Sequence, residues 1–202
     1  MANDTRDFLQ SLLKNLKAID YVKPEDIPNI DLYMDQITTF MDEQLKSGKR
    51  HPNDKILTKT MINNYAKNNL LPPPEKKKYS KEHVLTMLFI YYFKGILSIS
   101  DIQTLLNPLT DKYFGNKDGK NMLDVYNEVF DMEHEESLKV LKDLGKKYHL
   151  ANTSFADFPE EDQKFLHTFC FICALSYDVY IKKYIFEKLI DDLPSKKEND
   201  TE

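Results

Sequence analysis

Apolar residues recur at the spacing of an α-helix in seven stretches of the chain, separated by polar or proline-rich segments. The predicted helices cover residues 5–19, 30–45, 58–69, 81–94, 99–107, 120–147 and 159–190. The chain shows no internal repeat, and the only predicted strands are a possible short pair flanking the basic tip at 75–78. The pattern therefore predicts a mainly α-helical protein with at most a small two-stranded sheet.

Hydroxyl and proline residues mark several helix ends. Thr58, Ser80 and Ser98 each precede a predicted helix, and side-chain oxygens at that position cap free amide groups. The run Pro72–Pro74 ends the helix before it, and Pro108 is predicted to end the helix 99–107, because proline has no amide donor.

Two helical regions differ in how they distribute apolar residues. The helix 81–94 is apolar on almost every side, which predicts central burial. The C-terminal helices are rich in Phe, Tyr and Met, and such stripes are most often ordinary core. An effector pocket or a dimer interface is the alternative interpretation of the C-terminal stripes.

The glycine-rich break at 115–120 suggests a subdomain boundary. The predicted organisation begins with an N-terminal helical extension (1–29) and a central domain (30–114). A C-terminal helical region (115–192) and a disordered tail (193–202) follow.

Positive charge is concentrated in the middle of the chain. Residues 46–94 hold eleven Lys and Arg against three Asp and Glu, a local net charge of +8, whereas the whole chain has −5. A basic block inside an acidic protein is typical of a surface that faces a polyanion. A solvated lysine-rich loop would give the same composition.

The sequence contains no motif that specifically indicates catalysis or metal binding. His167, Cys170 and Cys173 follow one another at intervals of three, but one helix cannot close a tetrahedral site, so a core role is favoured. The acidic run at 133–136 is interpreted as a solvated face. No nucleophile, zinc or nucleotide-binding motif is present, so we expect a non-enzymatic protein without metal or cofactor.

The sequence contains no recognisable signal for secretion or membrane insertion. The two cysteines give no disulfide framework, which suits a reducing compartment. The first residues lack a signal-peptide apolar core, and no run of about 18 apolar residues could span a membrane. We therefore expect a cytoplasmic protein without membrane association.

The segment TKTMINNYAKNNLLPPP (58–74) resembles the recognition helix and turn of the MerR family of transcription regulators. The following KKKYSKEHV (76–84) resembles the wing and third helix of that family, and ILSISDIQTLL (96–106) resembles its closing helix. The matching positions are Thr58, Ile62, Tyr65, Leu70, Leu71, Pro74, Lys77, Tyr79 and Ser80. The chain as a whole also resembles an uncharacterised bacterial family built on a domain of unknown function.

The chain departs from the MerR pattern in three places. One is the third helix, where outward arginines of that family are replaced by Leu85, Thr86, Leu88, Tyr91 and Tyr92. Asn63 stands where that family has a phosphate-binding arginine, and residues 46–57 insert a long loop before the recognition helix. The resemblance covers about 50 residues and implies a winged helix-turn-helix core between the two helical extensions.

The resemblance implies a DNA-binding transcription regulator, with recognition helix 58–69 and basic wing 75–79. Lysine would contact phosphates, and asparagine can form two hydrogen bonds with adenine. The candidate DNA-binding residues are Lys59, Thr60, Asn63, Asn64, Lys67, Asn68, Lys76, Lys77 and Lys78. Double-stranded DNA is the expected partner. A homodimer is favoured, because proteins that read palindromic sites are commonly two-fold dimers. An unknown effector or protein partner is a further possibility. The alternative function is a protein-interaction module on a repurposed winged-helix scaffold, without DNA binding.

Overall fold

The computed structural model of the protein describes Ser11 and residues 21–194, except for the side chains of residues 133–138. Within these residues six α-helices and two short strands follow one another. The helices are α1 (Met34–Gln44), α2 (Lys59–Lys67), α3 (Lys81–Phe93), α4 (Ile99–Tyr113), α5 (Met122–Asn152) and α6 (Glu160–Asp191). The strands are β1 (Leu32–Tyr33) and β2 (Lys78–Tyr79). The mainly α-helical prediction is confirmed, whereas the helix 5–19 and most of the C-terminal tail lie outside the described residues.

Helix α3 forms the centre of the core. Its residues from His83 to Ile90 are all buried, so every side of the helix is covered. It packs against α4, α5 and β2. This burial confirms the central position predicted from its apolar sequence.

The segment before β1 is joined to this core by two tyrosines. Val22 donates its amide hydrogen to Tyr92 Oη (3.0 Å), and Tyr126 Oη donates to the carbonyl oxygen of Val22 (2.6 Å). Burial raises the pKa of Tyr92 to about 12. Because Val22, Met122 and Tyr126 share one buried cluster with α3, the beginning of α5 belongs to the same core.

The two-stranded sheet has a different pairing from the predicted one. Leu32 and Tyr33 of β1 pair antiparallel with Tyr79 and Lys78 of β2. The flanks of the basic tip contribute only a single bridge, between Glu75 and Lys78. Pro72–Pro74 cannot supply amide donors to a longer ladder, so β2 pairs with the segment before α1 instead.

Helix α4 contains Pro108 and continues to Tyr113. The prediction that the helix ends before Pro108 was therefore wrong. An internal proline removes one helical hydrogen bond and costs about 3 kcal/mol. Leu109, Tyr113 and Phe114 pack against the core beyond it. This apolar contact offsets the lost hydrogen bond.

Helices α5 and α6 form a long antiparallel hairpin. Tyr148 stacks edge-on against Phe171 with ring centroids 5.3 Å apart, and Lys147 of α5 forms ion pairs with Asp143 and Asp178. None of the described helices is long and apolar enough to cross a membrane.

The hairpin leaves much of α6 uncovered, so the prediction that its Phe and Tyr residues form ordinary core was wrong. Eleven large apolar side chains of α6 are exposed, including Phe165 (70%) and Tyr180 (67%). Helices α5 and α4 cover only part of α6, and the apolar residues of α6 lie on every side of the helix.

Candidate nucleic-acid interface

Helix α2 begins and ends as its sequence predicts. Thr58 Oγ1 accepts a hydrogen bond from the amide of Met61 (3.2 Å) and caps the first turn. At the other end Asn69 adopts a left-handed backbone (φ 53°), and the amide of Leu70 donates to the carbonyl of Tyr65 (2.9 Å). The chain therefore leaves the helix before the prolines.

The inward side of α2 is fixed to the core. Ile62 is fully buried and Tyr65 is 7% exposed. Lys94 Nζ donates to the carbonyl of Ile56 (2.7 Å) just before the helix, and burial lowers the pKa of Lys94. Gln103 of α4 donates to the carbonyl of Asn68 just after it. Both ends of α2 are thus held by the central helices.

The outward side of α2 carries all six candidate residues of the helix. Every one of them is exposed: Lys59, Thr60, Asn63, Asn64, Lys67 and Asn68. No acidic residue occurs between positions 58 and 70, so this side offers hydroxyl, amide and ammonium groups only. Positions 59, 63 and 67 lie in one row along the helix, and 60, 64 and 68 lie in the adjacent row.

The three candidate lysines at 76–78 form a tight turn, which we call the lysine turn. The amide of Lys78 donates to the carbonyl of Glu75 (2.8 Å), and Lys76 and Lys77 both have positive φ (49° and 64°). Two central residues with positive φ are characteristic of a type I′ turn, where Asn-Gly is preferred. Lys76 and Lys77 are exposed, whereas Lys78 is partly buried.

The beginning of α1 brings α2 and the lysine turn together. Lys78 Nζ lies 5.4 Å from the ring centroid of Tyr33, in cation–π contact. Two residues later, Asp35 forms an ion pair with Lys59, the first residue of α2. Lys59 and Lys78 therefore contact residues that are two positions apart at the beginning of α1. The beginning of α2 and the lysine turn thus lie near each other on the protein surface.

His83 supports the base of the lysine turn, a role that the sequence analysis missed. Its Nδ1 accepts from the amide of Ser80 (2.9 Å), so Nε2 carries the proton and donates to the carbonyl of Pro73 (3.3 Å). The ring lies edge-on against Tyr79 and Phe114, with centroids 5.4 and 4.7 Å apart. A histidine three residues after a helix-capping serine was the available signal.

Burial lowers the pKa of His83, although hydrogen bonds to Pro73 and Pro72 and the charge of Asp31 act in the opposite direction. Desolvation of the imidazolium is the larger effect. His83 is therefore neutral near pH 7, which is the state that its two hydrogen bonds require.

The candidate metal ligands on α6 are not brought together. His167 Nε2 lies 2.8 Å from the carbonyl oxygen of Ser154, Cys170 is partly buried and Cys173 is exposed. The core role predicted for both cysteines was therefore wrong for Cys173. In the part of the chain that the structure describes, no three His, Cys, Asp or Glu side chains could hold a metal ion.

An open groove between α5 and α6 has a volume of about 370 Å³. Its apolar floor is flanked by two lysines and two aspartates. The lining residues are Lys139, Val140, Asp143, Leu144, Leu175, Asp178, Val179 and Lys182.

Comparison with protein families matches residues 22–129 to a domain of unknown function (DUF1836). The match spans more than half of the chain, and the chain belongs to this family. It includes α2, the lysine turn and the core around α3, and it ends within α5. No curated protein and no solved structure matches the chain.

Proposed function

We propose that this member of the DUF1836 family is a cytoplasmic DNA-binding transcription regulator without enzymatic activity. In this proposal α2 enters the major groove and the lysine turn contacts the flanking phosphates, as the recognition helix and wing do in the MerR family. The observation that carries it is the exposed side of α2, whose own side chains end only in ammonium, hydroxyl and amide groups.

The size and chemistry of that side suit a DNA groove. The major groove of B-DNA is about 12 Å wide and admits one α-helix. Asn63 and Asn64 are exposed in the middle of α2, where amide groups can pair with the edge of adenine. Lys59 and Lys67 lie at the two ends of the helix, within reach of the phosphates on either side of the groove.

The lysine turn adds a second, independent argument. A residue other than glycine with positive φ costs about 1–2 kcal/mol. Two consecutive lysines in that conformation therefore reduce stability, and both present their ammonium groups to solvent. Backbone strain of this kind is concentrated at functional positions, and a phosphate contact would account for it.

The ion pair between Lys59 and Asp35 is compatible with this function. Both side chains are largely exposed (59% and 75%), and such pairs contribute about 0–1 kcal/mol. A phosphate can therefore replace Asp35 as the partner of Lys59 at small cost.

Binding to random duplex DNA, measured by fluorescence anisotropy over a salt series, tests the proposal. Replacing Lys76, Lys77 and Lys78 by alanine should weaken binding and make the slope of log K against log salt shallower by about 2. The charge-matched control replaces Lys142, Lys146 and Lys164, which are exposed on the hairpin of α5 and α6. No binding at low salt, or equal effects of both triple substitutions, would contradict the proposal.

A protein-interaction module is the second candidate function, and the exposed apolar residues of α6 favour it. In that case the lysine turn would affect neither DNA affinity nor its salt dependence. The same titration therefore distinguishes the two candidates.

A further inference from the structure

The loop between α1 and α2 (residues 46–57), which we call the basic loop, presents positive charge next to α2. Lys46, Arg50 and Lys55 are exposed on it. Its one acidic residue is Asp54, whose carboxylate accepts a hydrogen bond from a backbone amide of the same loop (2.9 Å). The basic loop is an insertion relative to the MerR pattern, so the resemblance assigns it no role.

Contacts with the rest of the protein hold the basic loop in one shape. Near its beginning, Lys49 forms an ion pair with Asp42 of α1 (2.7 Å), and only 13% of the Lys49 side chain is exposed. At its end, Ile56 is buried and its carbonyl accepts from Lys94 Nζ (2.7 Å). Arg50 therefore extends from a backbone that is already ordered, and a ligand that binds it has little loop entropy to remove.

Three basic elements contact α1 one after another along its length. Their contacts are Lys78 with Tyr33, Lys59 with Asp35, and Lys49 with Asp42. Asp35 and Asp42 are seven residues apart, so they lie on one side of α1 and about 10 Å from each other along its axis. Along this axis the lysine turn and the basic loop therefore lie on opposite sides of the beginning of α2.

This order matches the order of grooves and strands in B-DNA. The major groove is about 12 Å wide, and a phosphate backbone separates it from the minor groove on either side. If α2 lies in the major groove and the lysine turn lies on one bordering backbone, the basic loop lies over the other backbone. The minor groove beyond that backbone is then the part of the duplex nearest to Arg50.

We propose that Arg50 enters this minor groove and selects DNA that has a run of A·T pairs there. The inference rests on the proposed function, because it requires α2 in the adjacent major groove. It adds a sequence preference that the side chains of α2 do not provide.

The residue type at position 50 supports this role. The sequence contains two arginines, Arg6 and Arg50, and Arg6 lies outside the described residues. All candidate cations of α2 and the lysine turn are lysines. A guanidinium group is planar and more weakly hydrated than an ammonium group, so it loses less hydration in a narrow groove. Runs of A·T pairs have a narrow minor groove with enhanced negative potential, which attracts such a group.

Three duplexes that differ only in a central run of about six base pairs test the inference. The runs consist of A·T, G·C or inosine·cytosine pairs. Inosine lacks the amino group that guanine presents in the minor groove but keeps the major-groove edge of guanine. We expect fluorescence anisotropy to show that the wild type binds the A·T and inosine duplexes at least about 5-fold more tightly than the G·C duplex. Recognition through the major groove would instead group inosine with G·C.

Substitutions at position 50 assign the preference to one side chain. Arg50→Ala should abolish the preference, while binding to random duplex DNA persists, because such DNA rarely offers a run of A·T pairs at this position. Arg50→Lys keeps the charge and should lose most of the preference. The control Lys146→Ala removes one exposed charge from the hairpin and should leave the preference unchanged. Urea midpoints should be the same for all variants, since both positions are exposed.

The possible failures of the inference and of the proposed function differ. Equal affinity of the wild type for the three duplexes, or a preference that survives Arg50→Ala, would overturn the inference while DNA binding itself persists. A preference for A·T that does not extend to inosine would also overturn it. If none of the three duplexes is bound at low salt, the proposed function fails and the inference fails with it.

Discussion

His83 donates a hydrogen bond from Nε2 to the carbonyl of Pro73 across 3.3 Å, and so links the start of α3 to the proline segment before the lysine turn. Its Nδ1 simultaneously accepts from the amide of Ser80. Protonation of Nδ1 would remove that acceptor and place a charge between two aromatic rings. The base of the turn therefore depends on a neutral imidazole.

Acid should destabilise the protein through His83. Burial lowers the pKa of His83 in the folded state, so the unfolded chain binds the proton more readily. The contribution of His83 to the free energy of unfolding is complete above its ordinary pKa of about 6.5. It is lost as the pH falls through the lower pKa of the folded state. Urea unfolding between about pH 7.5 and pH 5 measures it.

The matched variant is His83→Gln, because glutamine at this position can still accept from the Ser80 amide and does not titrate. It should lower stability by about 1–2 kcal/mol at pH 7.5 and reduce the loss of stability on acidification. An unchanged dependence on pH would show that His83 is not the titrating group.

Relief of strain in the lysine turn should stabilise the fold while it weakens DNA binding. Lys76→Asn with Lys77→Gly places the preferred type I′ residues at both positive φ positions. We expect a gain of roughly 1–2 kcal/mol in urea unfolding together with lower DNA affinity. Alanine at both positions removes the same charges without relieving the strain, so it should lower affinity and give no such gain.

An arginine at position 63 should strengthen binding to DNA of any sequence. Asn63 is exposed on α2 and stands where the MerR pattern has a phosphate-binding arginine. Asn63→Arg should steepen the salt slope by about 1. The control Thr168→Arg adds the same charge at an exposed position of α6, and an equal change there would indicate a nonspecific effect of net charge.

The hydrogen bond between Tyr126 and Val22 should be important for stability. Tyr126→Phe leaves the Val22 carbonyl without this donor in a buried position, which should cost about 1–3 kcal/mol. Tyr180→Phe alters an exposed residue and should change the free energy of unfolding by less than about 0.5 kcal/mol. Equal urea midpoints for both variants would contradict this account.

Local signals predicted the beginnings of the helices well. Thr58, Ser80 and Ser98 stand directly before α2, α3 and α4, because a cap depends on residues within one turn of it. The burial of α3 was also predictable, since a helix with apolar residues on every side has few alternatives.

Relationships between distant segments were not predictable. The pairing of Leu32 with Tyr79 depends on how α1 and α3 pack, which short-range periodicity does not encode. The apolar residues of α6 are the same in a core and in an interface between chains, so only the structure shows that they are exposed. For the candidate DNA surface, the residues of α2 were identified from sequence, whereas the contacts with Tyr33 and Asp35 were not.

The salt dependence of duplex binding tests the central claim most directly. If Lys59, Lys67, Lys76 and Lys77 each contact a phosphate, the slope of log K against log salt should be near −4. Affinity for random duplex DNA should then fall roughly 100-fold or more between about 50 mM and about 200 mM salt, and alanine at all four positions should abolish this dependence. A wild-type protein that does not bind at about 50 mM salt, or a quadruple variant that binds as wild type, would contradict the claim that α2 and the lysine turn form a DNA-binding surface.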